Sequence, residues 1–367
     1  MILAHFSDIH ISERHPYYSL DDQLQALMGM TETAQTQGAD AAVIAGDLFD
    51  RQLPTAAERT VACSWIDALE IHRIPVVIVR GNHDGLGELA LLRGEPFTSD
   101  GFGRISINCG GVIDFVCLPW PRRAMVEAHT TRLGRVMSGN IVEDLLSSIG
   151  SVTQGGHPER QHTVVVGHLE ASEARLCSGQ PTVSRCEYPV PTGALVDLGA
   201  DYVALGHIHQ HQTLASGVVY GGSTWQTRWG EDVDKGCTLV DLETGEIERA
   251  QSKLPRMVDA CMDGDFCAAD FEGRHVRLGY HTQANEATHA HREAQERRDM
   301  ILRGGALSCR IVPTVTPSAI ARNPQVAAAS SMQDKLRTYW LAGDGEPIRR
   351  EEISSKLRDA DEWKEGS

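Results

Sequence analysis

The stretch VALGHIHQHQ, residues 203–212, places His207, His209 and His211 at alternate positions. In an extended chain all three point to one side, because side chains alternate across a strand. Neutral imidazole is the commonest protein ligand for transition metals, but a histidine after a strand can equally be a hydrogen-bonded structural group. By itself the stretch leaves a metal cage, a buried polar stripe and a surface accident all open. Side chains of the same kind recur elsewhere. Asp8 and His10 close ILAHFSDIH, Asp47 closes AAVIAGD, and Asn82, His83 and Asp84 close PVVIVRGNHD, while His168 closes HTVVVGH.

Imidazole nitrogen with carboxylate and amide oxygen suits borderline divalent ions such as manganese, iron or zinc, not calcium. No cysteine stands among these positions. Among Asp8, His10, Asp47, Asn82, His83, Asp84, His168, His207 and His209, seven candidate ligands are more than one octahedral ion holds once it also keeps a water. Two ions fit better than one. A carboxylate shared between ions roughly 3.5–4 Å apart would let them clamp both oxygens of an in-line phosphoryl displacement.

Residues so far apart in sequence meet only if the elements carrying them end together. Four segments share one device: a Val-, Ile- or Ala-rich run of buried-strand length, then a glycine, then a polar residue. They end at Asp47, Asn82, His168 and His207. Glycine lets the backbone turn sharply and approach another group where a side chain would clash. Helix-like patterns lie between them at Asp21–Gln37, Thr55–His72 and Gly139–Ile149, and shorter strands follow in GVVYGG, GCTLVDL and GEIERA. Strand–helix alternation of this kind predicts a layered α/β fold over residues 1–253.

After Pro255 the character changes. RHVRLGYH reads as a strand, Glu286–Arg303 as a polar helix stopped by Gly304-Gly305, and LSCRIVPTV as another strand, a small α/β unit over 254–317. The Pro-, Ala- and Ser-rich stretch from Pro313 to Ser331 reads as a linker, with residues 318–331 at its centre. Two amphipathic helices are expected over 332–367. Met332, Leu336, Tyr339 and Trp340 share one stripe, and Ile353, Leu357 and Ala360 another.

The bulk numbers set limits. No apolar run approaches the ~20 residues of a membrane span, and the N-terminus lacks the basic leader of a signal peptide. Nine cysteines without a C-x-x-C pair read as reduced thiols of a cytoplasmic protein. A net charge of −16 argues against a whole-surface polyanion binder, so any nucleic-acid site rests on local positive charge.

The motifs D-x-H (Asp8, His10), G-D-x-x-D-R (Gly46–Arg51), G-N-H-D (Gly81–Asp84), G-H (Gly167, His168) and G-H-x-H (Gly206–His209) stand in order along the chain. In that order they resemble the calcineurin-like metallophosphoesterases. The resemblance implies a layered αββα sandwich in which Asp8, His10, Asp47 and His209 hold one metal. Asp47, Asn82, His168 and His207 would hold the other, with Asp47 bridging. His83 would meet the substrate as a catalytic group, with Asp84 orienting it. His211 lies outside the motif and reads as a hydrogen-bonded or partly exposed histidine.

A narrower resemblance is to the SbcD-type DNA double-strand-break repair nucleases. It rests on MILAHFSDIHI at the start, on YGGSTWQTRWGEDVDKGCTLVDLETGEI, and on the strand–helix–strand unit after Pro255, which looks like a capping domain. G-N-H-D here lacks the serine that usually follows it. This likeness implies a manganese-dependent nuclease acting on DNA ends, with 3′-to-5′ exonuclease and single-strand endonuclease activity. It also implies a homodimer formed near Thr55–His72 and Leu86–Leu92, with support from Val61, Trp65, Leu69, Leu89 and Leu92, which could equally face the chain's own core. The C-terminal helices would bind an SbcC-type coiled-coil ATPase through Leu336, Tyr339, Trp340 and Leu357. Arg122, Arg123 and Arg228, beside Trp120, Trp225 and Trp229, are candidate DNA contacts, since aromatics with arginine stack bases and hold phosphates. The two later tryptophans can equally be core. A small-molecule phosphodiesterase or phosphatase, and a non-catalytic bridging subunit, stay open beside the nuclease.

Overall fold

The computed structural model describes residues 1–317 except 95, 179, 181–187, 232–233 and 265–266, together with 328, 334 and 335. The expected C-terminal helices, with Leu336, Tyr339, Trp340 and Leu357, lie outside the described residues.

The first half runs β1 (Ile2–Phe6), α1 (Leu20–Thr36), β2 (Ala39–Ala45), α2 (Ala56–Ile71), β3 (Val76–Val79), β4 (Phe97–Ser99), β5 (Gly103–Asn108), β6 (Val112–Leu118), α3 (Arg123–Arg132) and α4 (Ile141–Thr153). It continues with β7 (Arg160–His168), α5 (Thr192–Val196), β8 (Tyr202–Gly206), β9 (Gln212–Ala215), β10 (Val218–Tyr220), β11 (Gly236–Asp241) and β12 (Ile247–Gln251). Then follow β13 (Met257–Cys261), β14 (His275–Gln283), α6 (Ala287–Arg303) and β15 (Ser308–Thr316).

Two six-stranded sheets carry the fold, ordered β12-β11-β1-β2-β3-β4 and β5-β6-β7-β8-β10-β9. Strand alternation decides what each face meets. On β1, Ala4 and Phe6 pack toward α1 and α2 with Trp65 and Leu69, while Leu3 joins Val43, Val79, Phe115 and Val166 between the sheets. Val116, Val165 and Leu205 face Val126, Leu145 and Ile149 of α3 and α4 on the far side. The layers are therefore helix, sheet, sheet, helix, the expected αββα sandwich. Both long helices of the first layer begin at the capping boxes their sequences offer, Ser19 with Asp22 and Thr55 with Glu58. β1, β2 and β3 are mutually parallel, as are β6, β7 and β8, so the C-terminal ends within each trio lie at one edge.

Three expectations need correction. Val61, Trp65, Leu69, Leu89 and Leu92, offered as dimer positions, all lie in the chain's own core; Leu53, Ile71, Leu86 and Leu91 are the exposed apolar groups of that region. The linker does not begin at Pro313, because β15 continues to Thr316. That strand is the edge of the sheet β13-β14-β15, where a missing N–H costs no ladder bond. Nor does the chain part at residue 253. Its compact units are residues 1–278 with 297–311, and 279–296 with the described residues from 312 onward. Chain after 253 is tied into the first unit: Met257 is buried in the α1–α2 core, its N–H and C=O both bond the Gln226 side chain, and the Tyr18 hydroxyl donates to the Pro255 carbonyl. In the second unit the Tyr280 hydroxyl lies 3.3 Å from His291 Nδ1, and the Ala284 N–H donates to the Thr316 carbonyl.

Candidate metal centre

Five non-glycine residues among those described have positive φ, and four are candidate ligands: Asp8 (47°), His10 (54°), Asp47 (52°) and His207 (99°). Such backbone costs of order 1–3 kcal/mol per residue and persists where the surroundings over-determine it. Here they do. The N–H of Asp8 donates to the Gly46 carbonyl, that of His10 to the Asp47 carbonyl, and that of His207 to the Asp8 carboxylate at 2.9 Å. The strand-end glycines make this approach possible. A Cβ on Gly46 would collide with the His168 ring, and one on Gly206 with the Ala45 carbonyl.

The candidate ligands converge in two buried groups, and His10 also joins a more exposed one with Asp50 and His83. Ligand atoms of Asp8, His10 and His209 lie within 4.8 Å of one another, as do those of Asp8, Asp47 and His168. Asp47 Oδ2 stands between them, 3.7 Å from His10 Nε2 and 3.4 Å from His168 Nε2, while Oδ1 accepts the His83 N–H at 2.8 Å. Asn82 Oδ1 lies 2.9 Å from His168 Nε2 and 3.2 Å from His207 Nδ1. The Trp120 ring packs on His207 with centroids 4.7 Å apart.

Hydrogen bonds at the backs of two rings set their tautomers. His168 Nδ1 donates to the Ala45 carbonyl at 2.7 Å and His209 Nδ1 to Glu231 at 2.9 Å, so both turn Nε2 lone pairs inward. Among the described residues, His10 Nδ1 and His207 Nε2 are buried without hydrogen-bond partners.

Electrostatics say the same. Burial pushes the Asp8 carboxyl up and His10 well down, and takes His207 down to about 3. Burial would also raise Asp47, but His168, then His10 and His83, hold it far below the usual carboxylate range. Burial lowers His168 too, and the Asp47 carboxylate more than offsets this, bringing it up to about 9. A proton on His168 thus stands where a cation would satisfy the same carboxylate. Buried acceptor oxygens and inward lone pairs fit divalent ions bound by nitrogen and oxygen.

A cleft of about 60 Å³ opens here, lined by His10, Asp47, Asp50, Asn82, His83, Gln180, His207, His209, Thr227 and Arg228. His83 reaches it, its Nδ1 donating to the Asp50 carbonyl at 2.8 Å. Asp84 does not orient that ring. Fully buried, its carboxylate accepts from the N–H groups of Phe49, Gly81 and, at 3.4 Å, Leu48, which fastens the Asp47 loop to the Asn82 loop.

Of the candidate DNA contacts, Arg228 lines the cleft, whereas Arg122 and Arg123 do not; Arg123 pairs with Glu127 along the exposed face of α3. Trp225 is core, and Trp229 is half-buried beneath Arg277. His211 is partly buried, its Nδ1 without a partner. Sequence reasoning passed over Asp50, Gln180, Thr227, Glu231 and Lys235. Gln180 grips the backbone of His207 and His209 at once. Asp50 was visible as the second aspartate of G-D-x-x-D-R, and Glu231 and Lys235 as the acidic and K-G positions after YGGS.

An αββα sandwich with a buried histidine–carboxylate centre at its strand ends defines a metal-dependent phosphoesterase, a hydrolase of ester bonds. The chain belongs to the calcineurin-like phosphoesterase family, whose sequence model matches residues 1–211. It is similar to the SbcD subunit of the SbcCD nuclease of Bacillus subtilis (strain 168), 26% identical over 281 residues covering 69% of each chain. It is likewise similar to the SbcD protein of Escherichia coli (strain K12), 25% identical over 294 residues covering 69% of this chain and 68% of that one. A crystal structure of a dimetal phosphatase from Danio rerio overlaps with a TM-score of 0.41 at 12% identity, covering 65% of this chain and 91% of that chain. The described cysteines are all free, and among the described residues no helix is long and apolar enough to cross a membrane.

Proposed function

We propose that this chain is a two-metal nuclease that hydrolyses phosphodiester bonds at DNA ends, with manganese as its ion, acting as a 3′-to-5′ exonuclease and single-strand endonuclease. Asp8, His10, Asp47 and His209 would hold one ion, and Asp47, Asn82, His168 and His207 the other. When bound, such ions supply a water acidic enough to ionise near neutral pH and positive charge for the phosphoryl oxygens. The position of Asp47 Oδ2, close to both His10 and His168, supports its sharing between the ions.

The chain's own groups do the rest. With Nδ1–H held on the Asp50 carbonyl, His83 would act as an imidazolium whose Nε2–H passes its proton to the leaving oxygen and leaves the ring neutral. Arg228 brings positive charge to the rim of an otherwise acidic chain, and at contact range such a charge outweighs surface carboxylates screened within about 8 Å. The observation that carries DNA as substrate is the match, over 69% of each chain, to a relative named as part of a nuclease.

The relatives' name, one subunit of the SbcCD nuclease, supports a second subunit as partner; we propose that it is a coiled-coil ATPase and assign its contacts to residues 332–367, with Leu336, Tyr339, Trp340 and Leu357. A homodimer would use the exposed Leu53, Leu86 and Leu91. A small-molecule phosphodiesterase is the second reading, favoured by the small volume of the cleft. End-labelled linear duplex DNA and bis-p-nitrophenyl phosphate, each with manganese or with a chelator, separate the two. Manganese-dependent shortening of the DNA is expected; turnover of the small ester alone would overturn the nuclease reading.

A further inference from the structure

The candidate ligand histidines are not backed alike. Behind His168 stands a neutral group, the Ala45 carbonyl at 2.7 Å from Nδ1. Behind His209 stands a carboxylate, Glu231 Oε1 at 2.9 Å from Nδ1. Asp50 stands 3.6 Å from His10 Nδ1, beyond hydrogen-bond reach.

Glu231 is itself firmly held. Its side chain is fully buried, with Oε2 3.0 Å from the Lys235 ammonium. Thr227 donates its hydroxyl to Oε1 at 2.7 Å and its N–H to Oε2 at 3.1 Å. Lys235 also donates to the His209 carbonyl at 2.8 Å and to Ser223 Oγ at 2.6 Å. His209 is thereby gripped at ring and backbone by one network. Burial alone would raise the Glu231 carboxyl, but the His209 hydrogen bond and the Lys235 ammonium hold it well below the usual carboxylate range.

We propose that Glu231, fixed by Lys235 and Thr227, is a positioning residue that makes the His10–His209 side of the centre the tighter of its two metal sites. The inference rests on the two-metal reading above. A carboxylate on Nδ1–H fixes the tautomer and raises the basicity of Nε2, and charge-assisted hydrogen bonds are roughly twice as strong as neutral ones. The Ala45 carbonyl fixes the His168 tautomer without that added charge.

The test is calorimetric titration of the metal-free full-length chain with manganese chloride, with bound manganese counted on the same sample. The wild type is expected to take two ions with separable affinities. Glu231→Gln should weaken the tighter step by about 10–100-fold and leave the weaker one in place. The loss should persist in a His168→Ala background and vanish in a His10→Ala background. If Glu231→Gln does not fold, Thr227→Val, which removes one hydrogen bond to the carboxylate, should weaken the same step by less. An unchanged tighter step, equal loss in both steps, or the reverse background dependence would overturn the proposal while leaving the two-metal reading intact. A wild type that binds no manganese would overturn both.

Discussion

His10 Nε2 lies 3.2 Å from His209 Nε2, although 199 residues separate them in sequence. With Nδ1 of His209 committed to Glu231, its Nε2 presents a lone pair, and His10 presents the same atom to the same point beside Asp8. Two buried imidazoles so arranged need a proton or a cation between them. His10→Ala should therefore cost one of the bound ions. Asp47→Asn, which removes the negative charge proposed to be shared between the ions, should lower the occupancy of both ions and abolish hydrolysis. Metal analysis of the two purified variants checks this, and equal stoichiometry in both would contradict the shared role of Asp47.

His83 touches the cleft without belonging to either buried group. His83→Ala should lower turnover by roughly 10²–10⁴-fold, the usual worth of a positioned proton donor, with both ions retained. Metal loss matching that of Asp47→Asn would instead make His83 a ligand.

How much of this was legible is best judged residue by residue. The strands ending at Asp47, Asn82, His168 and His207 could be read because buried parallel strands are continuous apolar runs, and the glycine after or within each run marks the close approach now seen at Gly46 and Gly206. The helices could be placed to within a residue or two where a capping box marks the start, as at Thr55. Whether Val61, Trp65 and Leu69 face a partner or the core could not be read, since an apolar stripe does not state what covers it. Glu231 and Asp84 failed for a related reason. A buried carboxylate is recognised by the donors it meets, and these lie far away in sequence: Phe49 for Asp84, His209 for Glu231.

Asp84 serves stability by joining two loops. Asp84→Asn puts an amide N–H₂ among backbone N–H groups that need an acceptor, so at least one buried donor loses its partner. The expected cost is about 1–3 kcal/mol, together with weaker metal binding as the Asp47 and Asn82 loops separate. Urea unfolding of the metal-free variant measures it; a midpoint equal to the wild type would show that the clamp contributes nothing.

Truncation after Ala321 should leave manganese-dependent hydrolysis nearly intact and remove stable association with a coiled-coil ATPase. Short amphipathic helices are marginal alone in water, so helices of the kind the sequence leads one to expect around Leu336, Tyr339, Trp340 and Leu357 would need a surface to cover them. Co-purification of the truncated chain at full strength would rule out that docking site.

The pH dependence of folding has a separate source in His5, between the sheets. Its ring is fully buried, with Nδ1 3.0 Å from the Tyr202 hydroxyl. Burial, and then the nearby Arg249 and His211 charges, take it from 6.5 down to about 3. Burial also pushes Tyr202 above its usual range, so that hydroxyl keeps its proton and can donate to Nδ1. The folded chain thus leaves His5 neutral across a window in which the unfolded chain protonates it. Below pH ~6.5 the unfolded state binds the extra proton, so this stabilising contribution is complete above that pH and is lost as pH falls toward 3. Between pH 7 and pH 5 the wild type should lose about 2 kcal/mol more than His5→Leu, in which no imidazole titrates. The variant starts lower at pH 7, because the Tyr202 hydroxyl has lost its partner, so the difference in slope is the quantity to read. Urea unfolding of both chains with chelator at the two pH values supplies it, and parallel slopes would mean that His5 is protonated alike in the folded and unfolded states.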